Sequence, residues 1–556
     1  ARRQLDLQAT KLRTAHAIAA VVHRSVDLER AMGDIARSLV ELGGDSLAAM
    51  DLELRLGELF GSAALAASEQ AEALATLPLA ALAHRLATAE QAGEMARSGA
   101  RAPRAVAEVP PAEPARPASE PAGTPRVAKA PSAELAALAN GDAAEAVGPL
   151  DLPPPASGED LLVTGANGFL GSHLVAHLAS SLSASQRLWA LLRAPSHEAA
   201  AERLQAALRA RGLRAGGVVP YGAAAGSVVA VAAALSEERL GLSPVLYERL
   251  ASEVGLIHHV AAEVAFDRNY AELRAANVIG TRRVLELSTA GTLKALHFVS
   301  SLNVFFLLRQ IHGQRADETT PLPATLEPAQ VAGNLGYTVS KWAAERLVDE
   351  LFRRAGGAFR ASISRPALLV WSLATGIGND EDWFGRALAS CLHMRHLIGP
   401  EEAAVPRWAP ETPLSARGLD LVPIDFAARA VAHLGEQTRT GALSTSRPTR
   451  VPTFHVSNTT PAEDGLVTAE RLMDLLACSL VARDGAALDW RFLPLADWAL
   501  EAEVQGAPVL PVLHRLRQGW PAQQRTPAER FAATYPEPCP PFDQRSIEAW
   551  CVAHGV

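Results

Sequence analysis

The chain has 556 residues, of which 49% are hydrophobic, and a formal net charge of −8. This length predicts about two to four domains, and the acidic balance excludes a typical nucleic-acid-binding protein. The four cysteines show neither CxxC pairs nor His/Cys ligand spacing, so neither a disulfide framework nor a metal site is predicted. No apolar run approaches the roughly 20 residues of a membrane-spanning helix, and the first residues do not resemble a signal peptide. We therefore expect a cytoplasmic protein without a membrane partner.

Residues 1–95 are rich in Ala, Leu, Glu and Arg, and their apolar side chains recur at helical spacing. This pattern predicts a small all-α bundle. Within it, the segment ELGGDSL at residues 41–47 places Ser46 after two glycines, at the start of a predicted helix. Ser46 is either a helix N-cap or an attachment site for a prosthetic arm, and the segment alone does not decide between them.

Residues 96–157 are dominated by Ala, Pro and Glu. Such a segment buries too little apolar surface to fold, and its prolines favour extended backbone. We interpret it as a flexible linker, interrupted by a short helix near Ala133–Leu138.

Strand-like and helical patterns alternate from residue 158 onward. The strand-like runs are at 161–164, 188–192, 228–231, 256–260, 295–300 and 361–364. Alternation of this kind predicts an α/β Rossmann fold, a doubly wound parallel sheet with helices on both faces. We place this core at about 158–380, with later segments of the chain that return to it. A mostly helical C-terminal substrate-binding subdomain is placed at about 381–556.

The first strand runs directly into a glycine-rich turn, GANGFLG at residues 165–171, and a helix follows. Glycines permit the tight turn and let the backbone approach a pyrophosphate, and the helix N-terminus supplies N–H groups and a favourable dipole. This strand, turn and helix predict a dinucleotide site. Its members are Gly165, Ala166, Asn167, Gly168, Phe169 and Leu170.

The second strand ends in Arg193. Sites that take NAD usually have an acid there, whereas an arginine suits the 2′-phosphate of NADP. Arg203 on the next helix is a second candidate for that phosphate. Small residues at the end of the later strand-like run at 256–260, in the segment HHVAA at 258–262, leave room for the cofactor at Ala261.

Tyr337 and Lys341 form a YxxxK pair, which a helix places one turn apart on one face. A neighbouring ammonium favours the phenolate and eases proton transfer from a tyrosine. A hydroxyl at the end of the strand VSSLNVF, residues 299–305, is expected to bond the substrate carbonyl, and we prefer Ser301 to Ser300. His258 and His259 are interpreted as packing residues.

Asn277, on the helix after the HHVAA segment, has two possible functional roles: it bonds backbone groups or a water in a proton path. The alternative is an ordinary helix residue without such a role.

Seven segments together resemble an extended short-chain dehydrogenase. They are GANGFLG, HHVAA, AANVIGT at 275–281, VSSLNVF, GYTVSKW at 336–342, VPIDF at 422–426 and FHVSN at 454–458. More narrowly, they look like the thioester reductase domain that ends some nonribosomal peptide and polyketide synthetases, and the reductase part of carboxylic acid reductases. The resemblance covers residues 158–556 and implies that Ser301, Tyr337 and Lys341 form a catalytic triad. It also implies that Lys341 holds the cofactor's ribose.

The sequence departs from the family pattern at three places. Ala233-Ala234 replace a Gly-Asp pair, Trp371-Ser372-Leu373 replace Gly-Asp-Ser, and Ala265 replaces an Asn. We expect these changes to affect cofactor contacts or the shape of the pocket, while the triad is retained.

Beside a thioester reductase, the Ser46 segment resembles the phosphopantetheine attachment motif of carrier proteins. The resemblance then implies NADPH-dependent release of a carrier-bound acyl or peptidyl thioester as an aldehyde, or as an alcohol after a second reduction. Implied partners are upstream synthetase modules or an adenylation domain, and a phosphopantetheinyl transferase. Trp383, Phe384 and Asp425 of the C-terminal subdomain are expected to shape the acyl pocket.

Three alternatives stay open at this point. The chain could be the carrier and reductase part of a carboxylic acid reductase. It could be a redox-silent module that only releases or cyclises the chain, although Tyr337 is present. It could also be an unrelated extended dehydrogenase, such as a sugar epimerase, with a chance helical extension.

Overall fold

The computed structural model describes residues 132–147, 151–223, 227–265, 268–308, 316–379, 382–398, 418–443, 450–458, 467–484, 491–493, 495–509 and 528–554. These residues belong to a unit that spans Ala130–Val556. The predicted carrier bundle, its Ser46 and the predicted linker as far as residue 131 lie outside them. Within the described ranges, no helix has the length and apolar character needed to cross a membrane.

A parallel sheet lies at the centre of this unit. In chain order the strands are β1 (Asp160–Thr164), β2 (Leu188–Leu192), β3 (Val218–Pro220), β4 (Val228–Ala232), β5 (Val254–His259), β6 (Ala295–Val299), β7 (Ala361–Pro366), β8 (Leu368–Val370), β9 (His396–Ile398), β10 (Gly418–Leu419), β11 (Leu421–Pro423), β12 (Thr453–Val456), β13 (Val467–Thr468) and β14 (Arg491–Leu493). Eight of them form the main sheet in the spatial order β3-β4-β2-β1-β5-β6-β7-β12. Three described two-stranded pairings, β8–β11, β9–β14 and β10–β13, lie outside it.

Helices cover both faces of the sheet and form most of the C-terminal part. They are α1 (Ser132–Ala143), α2 (Phe169–Ala179), α3 (His197–Ala210), α4 (Pro244–Glu253), α5 (Tyr270–Arg274), α6 (Gly280–Thr289), α7 (Pro328–Ala332), α8 (Gly336–Arg354), α9 (Trp383–Met394), α10 (Ile424–Thr440), α11 (Ala469–Asp484), α12 (Leu495–Val504), α13 (Glu529–Thr534) and α14 (Gln544–Ala553). A π-helical turn, Ala275–Ile279, joins α5 to α6.

The predicted Rossmann architecture is confirmed. The six predicted strands coincide with β1, β2, β4, β5, β6 and β7 to within two residues at each end. Their side chains are buried almost throughout, because helices on both faces exclude water from a parallel sheet. This double burial is why the strands read as continuous apolar runs rather than as alternating ones.

Residues 421–456 return to the core after the C-terminal part has begun. β12 pairs with β7 at one edge of the sheet, and α10 packs beside α2 and the strands β5, β6 and β7. The approach of α10 is close at Gly435, where a Cβ would lie 2.1 Å from Cε1 of His258. Glycine at this position therefore allows helix and sheet to make contact.

The folded unit begins before the predicted boundary at residue 158. The linker prediction included all of 96–157, but α1 buries Leu135, Ala136 and Ala139 in the same hydrophobic core as residues of α8. The Asn140 side chain donates to Leu326 O at 2.9 Å and accepts from Leu326 N at 2.8 Å. α1 is therefore part of the folded unit, because its apolar side chains pack into the core and the Asn140 amide forms two hydrogen bonds.

The C-terminal part contacts the core through aromatic side chains. Trp371, which follows β8, stacks on Phe384 of α9 with ring centroids 6.1 Å apart. Its indole also contacts Trp550 of α14 at 5.7 Å and donates a hydrogen bond to Ser546 O at 2.6 Å. The departure from the family pattern at Trp371 thus forms an anchor between the two parts of the unit.

Candidate active site

The glycine-rich turn lies at the carboxyl end of β1. Gly165 has a φ of +68°, and a Cβ there would lie 2.7 Å from Cα of Ala261. A Cβ on Gly171 would lie 2.0 Å from the carbonyl oxygen of Gly165. Two of the three glycines are therefore required by backbone contacts, which explains the spacing of the motif.

Helix α2 begins directly after this turn, and no side chain caps it. Its hydrogen bonding begins with the backbone N–H of Ser172, which donates to Gly168 O at 3.0 Å. A helix start of this kind attracts anionic groups, because its N–H groups and dipole point toward them. The predicted dinucleotide residues therefore have the geometry of a pyrophosphate site.

Arg193 is exposed directly beyond β2. Arg203 of α3 donates a hydrogen bond from Nη1 to the carbonyl oxygen of Arg193 at 2.6 Å. The structure therefore brings the two arginines together beside the sheet edge that carries the glycine turn.

His259 joins three elements behind the glycine turn. Its Nδ1 lies 2.8 Å from Thr164 Oγ1 and its Nε2 lies 3.0 Å from Thr281 Oγ1. The Thr164 hydroxyl also accepts from the backbone N–H of Ala261 at 3.2 Å. Burial and the nearby Lys341 charge lower the pKa of His259 to about 3, so the ring is neutral.

The neighbouring His258 is also neutral, since burial lowers its pKa to about 3. The structure therefore agrees with the packing role that was expected for both histidines.

Tyr337 lies in the first turn of α8, and burial raises the pKa of its phenol to about 12. The Ser301 hydroxyl is near enough to the phenol to oppose this rise in pKa. Ser300 points elsewhere: its hydroxyl is buried and has no hydrogen-bond partner among the described residues. The geometry thus favours Ser301 over Ser300, as expected from the sequence.

Lys341 lies one turn after Tyr337 and is 2% exposed. Its Nζ donates to Val299 O at 2.7 Å and lies 4.4 Å from the ring centroid of Phe298. Burial lowers the pKa of Lys341 to about 7, and the charge of Glu345 opposes that fall. The end of β6 and the start of α8 therefore bring the three predicted catalytic side chains into one region.

Asn277 lies in the π-helical turn and bonds backbone groups. Its Oδ1 accepts from Glu263 N at 2.7 Å, and its Nδ2 donates to Glu263 O at 2.9 Å. The same Nδ2 donates to Ser340 Oγ at 2.9 Å. Of the two roles considered from the sequence, the structure shows the backbone contact, which braces the loop after β5 against α8.

The predicted pocket residues of the C-terminal part lie at its junction with the core. Phe384 stacks on Trp371, and Trp383 packs edge-on against Phe384 with centroids 5.5 Å apart. Asp425 accepts a hydrogen bond from Ser372 Oγ at 3.4 Å. Ala265 is buried in a small cluster with Tyr337 and Leu273.

Two charged residues near the triad were missed from the sequence. Glu345 and Arg365 form a buried ion pair, with side chains 4% and 5% exposed. One signal could have found Glu345: it follows Lys341 by four residues and therefore shares the helix face of the YxxxK pair. No local pattern indicates that Arg365, at the end of β7, is its partner.

Comparison with known proteins shows which domains the folded unit resembles. Residues 163–431 match the family described as Male sterility protein, an NAD-binding domain. The terminal R domain from the myxalamid PKS-NRPS biosynthetic pathway superposes with a TM-score of 0.59 at 26% identity, covering 76% of this chain and 98% of that one. The matched residues, just under half of the chain, are similar to this NAD-binding family. In fold and sequence the folded unit resembles that terminal reductase domain, which supports an oxidoreductase of the extended short-chain dehydrogenase type.

Two curated proteins contain regions similar to this reductase domain. An isonitrile lipopeptide synthase of Streptomyces coeruleorubidus is 32% identical over 358 residues, which are 64% of this chain and 20% of that protein. The non-canonical nonribosomal peptide synthetase cpsA of Aspergillus campestris is 30% identical over 278 residues, 50% of this chain and 24% of that protein. The chain thus spans a quarter or less of these relatives.

Proposed function

We propose that this chain releases an acyl or peptidyl group as an aldehyde, by NADPH-dependent reduction of a thioester carried on a phosphopantetheine arm at Ser46. The observation that supports this most is the group of Ser301 and the buried Tyr337 and Lys341 at the carboxyl edge of the sheet, beside the glycine turn. Relatives named as peptide synthetases make a thioester the appropriate substrate class. An upstream module or adenylation domain supplies the acyl group, and a phosphopantetheinyl transferase supplies the arm.

The residues present fit a nicotinamide dinucleotide. Gly165 and Gly171 allow the close backbone contacts that form the tight turn, and the start of α2 is free of side-chain caps. Arg193, with Arg203 beside it, is suited to the 2′-phosphate that distinguishes NADPH from NADH. The bound cofactor supplies a hydride to the carbonyl carbon of the thioester.

The side chains of the triad stabilise the charge that develops on the carbonyl oxygen. Tyr337 stays protonated at neutral pH, because burial raises the pKa of its phenol to about 12. Tyr337 and Ser301 donate hydrogen bonds to the oxygen, and such preorganised donors often make a large contribution to rate. Tyr337 then gives its proton to that oxygen, which forms a thiohemiacetal. As the thiohemiacetal collapses, its hydroxyl loses the proton, the C–S bond breaks, and the arm's thiolate takes up a proton and leaves as a thiol while the aldehyde forms.

Lys341 provides a positive charge beside Tyr337 and holds the nicotinamide ribose. The charged form exists below its pKa of about 7. A step that needs this charge is therefore fastest below neutral pH and slows as the pH rises through about 7. The product proposed here is the aldehyde, and an alcohol would require a second reduction at the same residues.

The proposal is tested with the full chain loaded by a transferase and an acyl-coenzyme A. We expect mass spectrometry to find the acyl phosphopantetheine on Ser46, and NADPH oxidation to accompany formation of a trapped aldehyde. The matched control is Ser46→Ala, which removes the arm and leaves the reductase domain unchanged. Release of a free acid or a cyclised product without NADPH oxidation would contradict the proposal.

A further inference from the structure

The buried pair Glu345–Arg365 touches each element that supplies a proposed catalytic side chain. Arg365 donates from Nε to Glu345 Oε1 at 2.9 Å and from Nη2 to Glu345 Oε2 at 2.6 Å. This two-bond geometry is the strongest that arginine and a carboxylate form. Glu345 lies on α8, two turns after Tyr337 and one turn after Lys341, so the pair ties the catalytic helix to the end of β7.

The same arginine reaches the segment that follows Ser301. Its guanidinium carbon lies 4.8 Å from the ring centroid of Phe305, four residues after Ser301. Phe305 packs edge-on against His455 of β12 with centroids 5.2 Å apart. Arg365 thus contacts Glu345 on one side and the Ser301 segment on the other.

We propose that the Glu345–Arg365 pair is a positioning device for the reduction, which sets Ser301, Tyr337 and Lys341 relative to one another. The inference rests on the proposed function, because it assigns the pair to that reaction. Neither residue is a catalytic residue, since the pair acts through α8 and through the segment after Ser301. An apolar pair of similar volume would fill the same space, often at no cost in stability, so packing alone does not require charges at this position.

The charge of Glu345 gives the pair a second effect on the site. The charged and titratable groups that the described structure places around Lys341 are Glu345 and Tyr337 on α8, His259 on β5 and, behind Glu345, Arg365 on β7. His259 and Tyr337 are neutral at pH 7, because burial lowers the pKa of the first to about 3 and raises that of the second to about 12. Glu345 is therefore the group among them that favours the charged form of Lys341.

The test compares two salt bridges of the same geometry in the full chain. Asp142 of α1 accepts from Arg274 at Nε (2.7 Å) and Nη2 (2.6 Å), and its carboxylate is also buried. Glu345→Gln and Asp142→Asn each replace a buried carboxylate by an amide. Both variants should lower the melting temperature, so stability alone does not separate them.

The separating measurement is the pH dependence of NADPH binding, read from the cofactor's fluorescence. If Lys341 holds the ribose in its charged form, wild-type affinity falls as the pH rises through a midpoint. Loss of Glu345 should lower that midpoint by about one pH unit, about a tenfold change in the protonation equilibrium of Lys341. We expect Asp142→Asn to keep the wild-type midpoint, and Glu345→Asp to restore most of it.

Turnover is measured beside binding, with a small acyl thioester of N-acetylcysteamine as the probe. Glu345→Gln should reduce kcat about tenfold or more and move the alkaline limb of the rate profile to lower pH, in parallel with the binding midpoint. If Glu345→Gln does not fold, the double variant Glu345→Gln with Arg365→Met removes both charges and leaves neither unpaired. The same shift is expected for it.

The outcomes separate the two proposals. A wild-type chain that binds NADPH with the expected pH dependence, but reduces neither this probe nor its own acyl-loaded arm, would overturn the proposed function and leave the effect of the pair on Lys341 measurable. An unchanged midpoint in Glu345→Gln, or an equal shift in Asp142→Asn, would overturn the positioning role, as would NADPH affinity that is independent of pH in the wild type.

Discussion

The glycine turn after β1 and the helix that carries Tyr337 lie at the same edge of the sheet, but different contacts build them. Backbone contacts dominate in the turn, where Gly165 and Gly171 approach other main-chain atoms more closely than a Cβ allows. Side chains dominate around α8, where Lys341, Glu345 and Arg365 are all buried and bonded. The glycine turn therefore depends on the absence of side chains at two positions. The surroundings of α8 depend instead on the charge and position of side chains.

Replacement of Tyr337 by Phe tests the side-chain half of this comparison and should give the largest effect. It removes the proton donor and one oxyanion contact, so we expect kcat to fall by about 10²- to 10⁴-fold. NADPH affinity should change little. The control is Tyr270→Phe, which removes a buried hydroxyl that bonds Asp142 at 2.5 Å and is not one of the triad side chains. Near-normal turnover by the Tyr337 variant would refute its assigned role.

Replacement of Gly171 by Ala tests the backbone half. The new methyl group would lie 2.0 Å from the carbonyl oxygen of Gly165, so the turn must shift. Overpacking of this kind costs about 1–3 kcal/mol, and we expect NADPH affinity to fall about 10- to 100-fold. Gly141→Ala in α1 is the matched control, because nothing lies within 4 Å of its added Cβ. Equal NADPH affinity in both variants would show that the turn does not need its glycine.

Replacement of Asp142 by Asn separates fold stability from chemistry. It weakens the buried contacts of this carboxylate with Arg274 and Tyr270, and we expect the free energy of unfolding to fall by about 1–3 kcal/mol. Denaturant titration measures that loss. A fall in kcat similar to that of Tyr337→Phe would mean that α1 takes part in the active site. That result would contradict a role of Asp142 in fold stability alone.

Replacement of Arg193 by Ala should have the smallest effect, because this side chain is exposed. We expect the Kd for NADPH to rise about fivefold and the Kd for NADH to stay the same, since an exposed charge pair contributes at most about 1 kcal/mol. Parallel titrations with the two cofactors measure the ratio. An equal loss for both would assign Arg193 a general structural role instead.

The difference between local patterns and tertiary contacts explains what could be predicted from the sequence. The glycine turn and the YxxxK pair are local patterns, in which spacing along the chain is also spacing in space. The pairing of Glu345 with Arg365 joins α8 to a strand 20 residues away, and the docking of α1 depends on partners such as Leu326, 186 residues from Asn140. Contacts of this kind are set by tertiary packing, which leaves no local signal.

The predicted linker gives a second example of a tertiary contact that the sequence did not reveal. Its composition correctly suggested a short helix near Ala133–Leu138, but composition alone could not indicate that this helix packs into the core. Likewise, β5 begins two residues before its predicted start because α4 ends at Glu253 and the strand follows at once. The boundaries of helices and strands are set by the hydrogen bonds that each residue forms in the folded chain.

Hydride transfer to the thioester carbon is the central claim, and it can be followed directly. The full chain, loaded with an acyl phosphopantetheine at Ser46, is supplied with NADPH that carries deuterium at the transferable position of the nicotinamide. We expect an aldehyde with deuterium on its carbonyl carbon, and greatly reduced formation of it by Tyr337→Phe. A released acid or cyclised product without deuterium would contradict hydride transfer.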